Sequence, residues 1–306
     1  MSQQQAWEKR IGRQRQWIWR GWPIRYTFLP AETAQSDTKP PLILVHGFGA
    51  AVEHWRHNIP TLRQQYRVYA LDLLGFGQSQ KAATDYNTYL WAEQIYDFWR
   101  SFIGQPVVLV GNSIGSLVCL TAAFKYPEMV AGLVMLSLPD VSLRQEAIPK
   151  GLRPIVNTIE GVFSPPLLLK LLFNIIRRPG VIRPWVGVAY YDKSAITDEL
   201  LDMITIPPQD RGAARTFCLL FEGLRKPNYS PSVKDVLQKL SIPMLLVWGR
   251  QDKMIPVTLA SKFSNLNKQI TLIELDHAGH CPQDECPDRF NPILLDWLKT
   301  VIGLQF

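Results

Sequence analysis

The chain has only four cysteines in 306 residues, Cys119, Cys218, Cys281 and Cys286. They are too few and too irregularly spaced for a disulfide framework, so a reducing compartment and buried or bystander thiols are expected. Cys281 and Cys286 flank an acidic loop beside His280, but the second paired cluster that a zinc site needs is missing. Long apolar runs are also missing. None approaches the ~18–20 residues of a spanning helix, and no apolar segment of the leader type follows Met1. The expectation is an uncleaved, intracellular chain with no integral membrane span. Internal repeats and low-complexity tracts are absent, which excludes solenoids, propellers and long linkers. Charge is sparse at 19%, whereas hydrophobic residues make up 47%, enough for one large core and against disorder.

Acidic residues are scarce at the start. Lys9, Arg10, Arg13, Arg15, Arg20 and Arg25 oppose only Glu8, and the whole chain carries +7. With Trp7, Trp17, Trp19 and Trp22 among them, these cations suit a peripheral surface resting on an anionic membrane. The alternation through Trp17, Trp19, Ile24, Tyr26 and Phe28 reads instead as two strands around a Gly21 turn, with solvated arginines between. No nucleic-acid partner is expected.

Short apolar, β-branched runs follow at Pro41–Val45, Arg67–Leu71 and Val107–Val110, the pattern of strands buried on both faces. Between them lie helical patterns. Trp91, Ile95, Phe98 and Phe102 share one face, and Gly104 is placed to end that helix. Strand and helix alternate through a helix at 114–126 and a strand at Leu133–Leu138. From about Val141 to Leu240 the pattern turns helical, irregular and rich in leucine, as at Leu167, Leu168, Leu169, Leu171 and Leu172. Strands resume at Met244–Trp248 and Thr271–Leu275, and a last helix opens at Pro287 with Phe290, Leu294, Trp297 and Val301 on one face. The chain therefore reads as an α/β protein, a mostly parallel sheet with helices on both faces, built from 1–140 and 241–306. A helical insertion, 141–240, interrupts it.

Gly111-Asn112-Ser113-Ile114-Gly115 spells G-x-S-x-G. Alone it is weak, expected by chance in roughly one chain in ten of this length. Its position sharpens it, because it follows a strand and opens an apolar helix. A serine at such a turn is strained, and the glycines are needed where side chains would collide. Ser113 is thus the candidate nucleophile. The Ile114 N–H, at a helix N-terminus, is one candidate oxyanion donor. His46-Gly47-Phe48-Gly49 follows the Pro41–Val45 strand and offers the Phe48 N–H as the second, with His46 read as structural.

A serine hydroxyl needs a base, and the base needs an orienting carboxylate. The expected chain order is Ser, acid, His. Asp252 and His280 each follow a strand end. His277 and Asp140 are rivals, and spacing does not separate His277 from His280. A carboxylate at position 113 would suit attack on saturated carbon, whereas serine suits attack at a carbonyl. That chemistry calls on no metal or organic cofactor.

His46-Gly47-Phe48-Gly49, Asp72-Leu73-Leu74-Gly75-Phe76-Gly77, Gly111–Gly115, Trp248-Gly249 and Gly279-His280-Cys281-Pro282-Gln283-Asp284 together resemble the chlorophyll dephytylase and pheophytinase branch of plant and cyanobacterial α/β-hydrolases. The likeness spans roughly 40–140 and 240–300. It implies an α/β-hydrolase fold with a helical cap, and it implies His280 and Asp252 as base and acid. It further implies a bulky phytyl ester of a chlorophyll-type pigment as substrate, met in the cytoplasm or at the surface of a photosynthetic membrane. Ser116 departs from the second glycine usual in pheophytinases. The leucine-rich insertion fits a cover over a long apolar alcohol, or ordinary core packing of helices. The alternatives in function are hydrolysis of a small carboxylester or of a carbon–carbon bond beside a ketone, and ligand reception without turnover.

Overall fold

The computed structural model describes residues 4–33, 39–141 and 166–302. Among the described residues eight strands form one sheet: β1 (Gln14–Trp19), β2 (Trp22–Leu29), β3 (Leu42–Val45), β4 (Val68–Leu71), β5 (Val107–Asn112), β6 (Val130–Leu136), β7 (Met244–Gly249) and β8 (Ile270–Leu275). Their spatial order is β1-β2-β4-β3-β5-β6-β7-β8. β1 and β2 pair antiparallel, β2 meets β4 antiparallel, and all later pairings are parallel. Every residue of β3 to β7 is buried, which is why those segments read as continuous apolar runs and not as alternating ones. The edge strand β8 is mostly half-buried.

The hairpin turn between β1 and β2 has Arg20 at φ 50 and Gly21 at φ 84, the paired left-handed conformation that follows the natural twist of two strands. Trp19 is buried at its end, and Trp17 packs edge-on against Phe98. The indoles of this segment thus lean largely on the helix Thr88–Phe102, where Trp91, Ile95 and Phe98 are buried. That helix opens with the Asn87 side chain accepting from Leu90 N–H at 2.8 Å, and it closes where Gly104 takes φ 69.

Two sequence expectations need correction. Arg25 is not solvated but 3% exposed. Its Nε donates to Asp72 at 2.6 Å, while Nη1 and Nη2 fork onto Glu53 at 2.5 and 2.6 Å. Alternation along β2 fails because its second face is covered as well, and a guanidinium can enter only where carboxylates meet it. The opening is also not wholly strand. A helix, Gln4–Ile11, precedes β1, and Ile11 is fully buried in the cluster that holds Leu29 and Trp55. So short a helix carries little periodicity, and tertiary burial of Ile11 holds it.

Between β6 and β7 the described chain runs through the helices Pro166–Ile176, Pro179–Ala189, Asp198–Thr205, Ala213–Arg225 and Val233–Lys239. The part of the expected insertion at 142–165 lies outside the described residues. Val233, Val236 and Leu237 of the last helix sit in the main core. The first helix differs from core packing. Phe173 is buried against Phe217, but Leu168, Leu171 and Leu172 are 49%, 54% and 44% exposed.

Candidate active site

β5 ends at Asn112 and the helix Ile114–Lys125 begins at once, leaving Ser113 between them at φ 55 and ψ −121. A side chain in that region is strained and persists only where its surroundings fix it. Here the Ser113 N–H donates to Leu136 O at 2.8 Å, and its carbonyl accepts from Ser116 N–H at 2.9 Å. A Cβ at 111 would lie 2.4 Å from the Gly115 backbone, and one at 115 would lie 2.4 Å from Val45 O. Both glycines are therefore steric requirements of the turn. Ser116, where the resembling family usually has glycine, is used as a staple. Its Oγ lies 2.7 Å from Gly111 O and 2.8 Å from Leu136 O, and it accepts from Leu136 N–H at 3.0 Å.

β5 to β8 run parallel, so the loops after β7 and β8 open at the same end of the sheet as Ser113. His280 Nδ1 lies 2.8 Å from Asp252 Oδ2. The other oxygen of Asp252 accepts from Met254 N–H and Ile255 N–H at 2.8 and 2.9 Å, so the carboxylate is held from both ends. Asp252 and His280 are both buried. Asn112, next to Ser113, donates from Nδ2 to the His280 carbonyl at 3.1 Å, tying the elbow to the histidine loop. His277 is elsewhere. It has φ 50, is exposed, and its Nδ1 lies 3.4 Å from the Tyr191 hydroxyl. Of the two histidines that spacing does not separate, His280 is the one that meets Asp252, while His277 faces Tyr191. Asp140 is half-buried after β6, and the histidine is directed to Asp252 instead.

Ile114 is the first residue of its helix, so its N–H is among the donors without an intrahelical acceptor. Phe48 occupies the second position of a turn closed by Ala50 N–H on Gly47 O at 3.3 Å, with Gly49 at φ 71. A Cβ at 47 would lie 2.9 Å from Asn112 Oδ1, so this loop presses on the elbow. His46 braces it. Leu73 N–H donates to His46 Nε2 at 3.1 Å, so Nδ1 carries the proton and donates to Gly47 O at 2.7 Å. Burial lowers the pKa of His46, in keeping with this neutral tautomer. Asp72 is the second brace, accepting from Val52 N–H at 2.8 Å and Gln78 N–H at 2.7 Å. Burial would push its carboxyl up, but the Arg25 guanidinium beside it holds it below the ordinary range.

A further group of contacts joins the insertion to the histidine loop. His280 N–H donates to Ala189 O at 2.7 Å. Glu285 accepts from Gly279 N–H at 2.7 Å and from Asp192 N–H at 2.6 Å, clamping the two segments together. Tyr190 donates its hydroxyl to Asp284 at 2.6 Å and lies 2.9 Å from His54 Nε2, while Arg56 pairs with the same carboxylate at 2.5 Å. His54 lies in a single 3-10 turn, Val52–Trp55, that Arg56 caps, and Tyr190 caps the helix Pro179–Ala189, positions where no periodicity marks inward-facing polar groups. Of the side chains that make these contacts, Asp284 alone belongs to the Gly279–Asp284 motif.

Aromatic rings run from the insertion to the Phe48 turn. Phe173 lies 4.9 Å from Phe217, Phe217 lies 4.5 Å from Phe221, Phe221 lies 6.3 Å from Phe48, and Phe48 lies 5.3 Å from Phe76. Phe48 and Phe221 are 43% and 38% exposed, an apolar lining open at the edge where Ser113 sits.

A strained serine elbow on a mostly parallel sheet, with a carboxylate-bound histidine beside it, defines a class of hydrolase. Residues 42–293 match the alpha/beta hydrolase family, and the chain belongs to it. It is 30% identical over 270 residues to the 2-hydroxy-6-oxo-6-(2'-aminophenyl)hexa-2,4-dienoic acid hydrolase of Metapseudomonas resinovorans, across 85% of this chain and 84% of that one. It is 24% identical over 299 residues to the chloroplastic pheophytinase of Arabidopsis thaliana, across 85% of this chain and 61% of that one. Among solved structures, a membrane phospholipase A that is a bacterial virulence factor superposes with a TM-score of 0.77 at 24% identity, over 97% and 89% of the two chains. At that identity the likeness is one of fold.

Proposed function

We propose that the chain is a serine hydrolase of carboxylic esters, with Ser113 as nucleophile, His280 as base and Asp252 as its orienting acid. The observation that carries this reading is the 2.8 Å contact from His280 Nδ1 to a doubly anchored Asp252, with the histidine loop tied to the Ser113 elbow through Asn112. With Nδ1–H given to Asp252, Nε2 is left as the proton acceptor. Ser113 Oγ attacks the ester carbonyl carbon as Nε2 takes its proton, and the oxyanion is received by the Phe48 and Ile114 N–H groups. The tetrahedral adduct expels the alcohol, which takes the proton back from Nε2. Water then repeats the sequence on the acyl-serine, releasing the acid and restoring the hydroxyl.

The favoured substrate is a phytyl ester of chlorophyll or pheophytin. The aromatic run beside the Phe48 turn suits a long apolar alcohol, and the likeness to pheophytinase points the same way. A second reading, cleavage of a carbon–carbon bond in a dienoic acid, is favoured by the likeness at 30% identity. That substrate brings a carboxylate, to which Phe48, Phe76 and Phe221 offer no cation.

Purified protein is incubated in detergent with chlorophyll a, with a short p-nitrophenyl ester, and with a 2-hydroxy-6-oxo-dienoate, and the products are separated. Release of phytol, abolished in Ser113→Ala, is the expected result. Turnover of the dienoate alone would replace the ester assignment, and turnover that survives Ser113→Ala would overturn the nucleophile.

A further inference from the structure

The helix Pro166–Ile176 is anchored through Phe173, yet Leu168, Leu171, Leu172 and Ile175 are 44–54% exposed at i, i+3, i+4 and i+7. On the next helix, Pro179–Ala189, Trp185 is 65% and Val188 41% exposed. Single exposed apolar side chains are ordinary, but six on two consecutive helices are not. Between residues 166 and 191 the chain contains Lys170, Arg177, Arg178 and Arg183 and no aspartate or glutamate. Arg183 lies 3.6 Å from Asp198 of the following helix. Apolar faces flanked by cations without carboxylates of their own match a surface that is apolar within and negative at its rim.

We propose that the outward faces of these two helices form a docking surface for an anionic lipid bilayer, independent of which ester is cleaved. At 11 residues each, about 16 Å long, the helices lie along the interface and do not cross it, and among the described residues no helix is long and apolar enough to cross a membrane. The leucines, isoleucine and tryptophan enter the headgroup boundary, while Lys170 and the neighbouring arginines meet phosphate. The surface is joined to the candidate site in two ways. Ala189, which ends the second helix, receives the His280 N–H, and ring contacts run from Phe173, the buried anchor of the first helix, through Phe217 and Phe221 to Phe48 beside the Ser113 elbow. The Trp-rich start of the chain serves this purpose less well, because Trp19 is buried and Trp17 packs against Phe98 and Phe102.

The test is co-flotation of the full chain with vesicles of phosphatidylcholine alone or with one-third phosphatidylglycerol, without any turnover, so that failure of the ester assignment leaves it readable. Binding is expected to require the anionic lipid and to weaken with salt. Lys170→Gln should weaken partitioning about fivefold, the loss of one headgroup cation. Leu171→Glu should weaken it about tenfold or more through lost apolar burial. Both variants should keep the parent's turnover of a soluble p-nitrophenyl ester, since neither residue belongs to the proposed catalytic set. If Leu171→Glu does not fold by thermal melt, Trp185→Ser carries the same expectation. Absence of binding at every phosphatidylglycerol content overturns the proposal. So does a lipid-free dimer that Leu171→Glu converts to monomer, which would make this face an interface between two copies.

Discussion

Replacing Asp252 by Asn tests the proposed acid with almost no change of shape. The side chain now receives Met254 N–H and Ile255 N–H at 2.8 and 2.9 Å on one oxygen and meets His280 Nδ1 at 2.8 Å with the other. An amide has one oxygen, and the two backbone donors claim it. The NH2 group must then face His280 Nδ1, which is forced to accept. The ring proton moves to Nε2, the atom that should take the proton of Ser113, and the base is blocked by its own tautomer. From the tautomer effect known for such triads, kcat should fall about 10⁴-fold, some 5 kcal/mol in the barrier. The assay is steady-state hydrolysis of a p-nitrophenyl ester at pH 7, with a thermal melt to show that the fold persists. Asp140→Asn serves as the parallel control. If Asp252→Asn stays within tenfold of the parent while Asp140→Asn collapses, the acid follows β6 and the tautomer argument fails.

Two further outcomes follow from buried charge. Arg25→Met leaves Asp72 and Glu53 inside the protein without their cation, and urea unfolding should show a loss of about 3–5 kcal/mol. A loss under about 1 kcal/mol would mean that the carboxylates find water or another partner. Burial holds the His54 imidazolium at about 4, against the pull of Asp284, whereas the unfolded chain titrates near 6.5. Between those values the unfolded state binds the extra proton, so stability rises with pH across that window and is lost on acidification, by at most about 3 kcal/mol. His54→Gln should flatten this slope in part, since His46, also lowered by burial, remains. An unchanged slope would assign the window to other groups.

The strands buried on both faces were legible because a parallel sheet demands unbroken apolar runs, and the serine elbow was legible because a Cβ at either of its glycines would come within 2.5 Å of backbone. Arg25 was misread because burial of a charge depends on carboxylates 28 and 47 residues away, which no local pattern announces. The helix Gln4–Ile11 was missed for a similar reason, since Ile11 is held by Leu29 and Trp55 and not by its own neighbours.

By itself, then, the sequence determined the mostly parallel α/β architecture and the serine at the strand-to-helix turn, both matters of local period and sterics. Only the tertiary structure decided that His280 and not His277 meets Asp252, because three residues of separation change direction in a loop and not distance along the chain. It also decided that Leu168, Leu171 and Leu172 of the insertion face outward. Hydrophobicity along a helix says that a face must be covered, and only packing shows that the protein has not covered it.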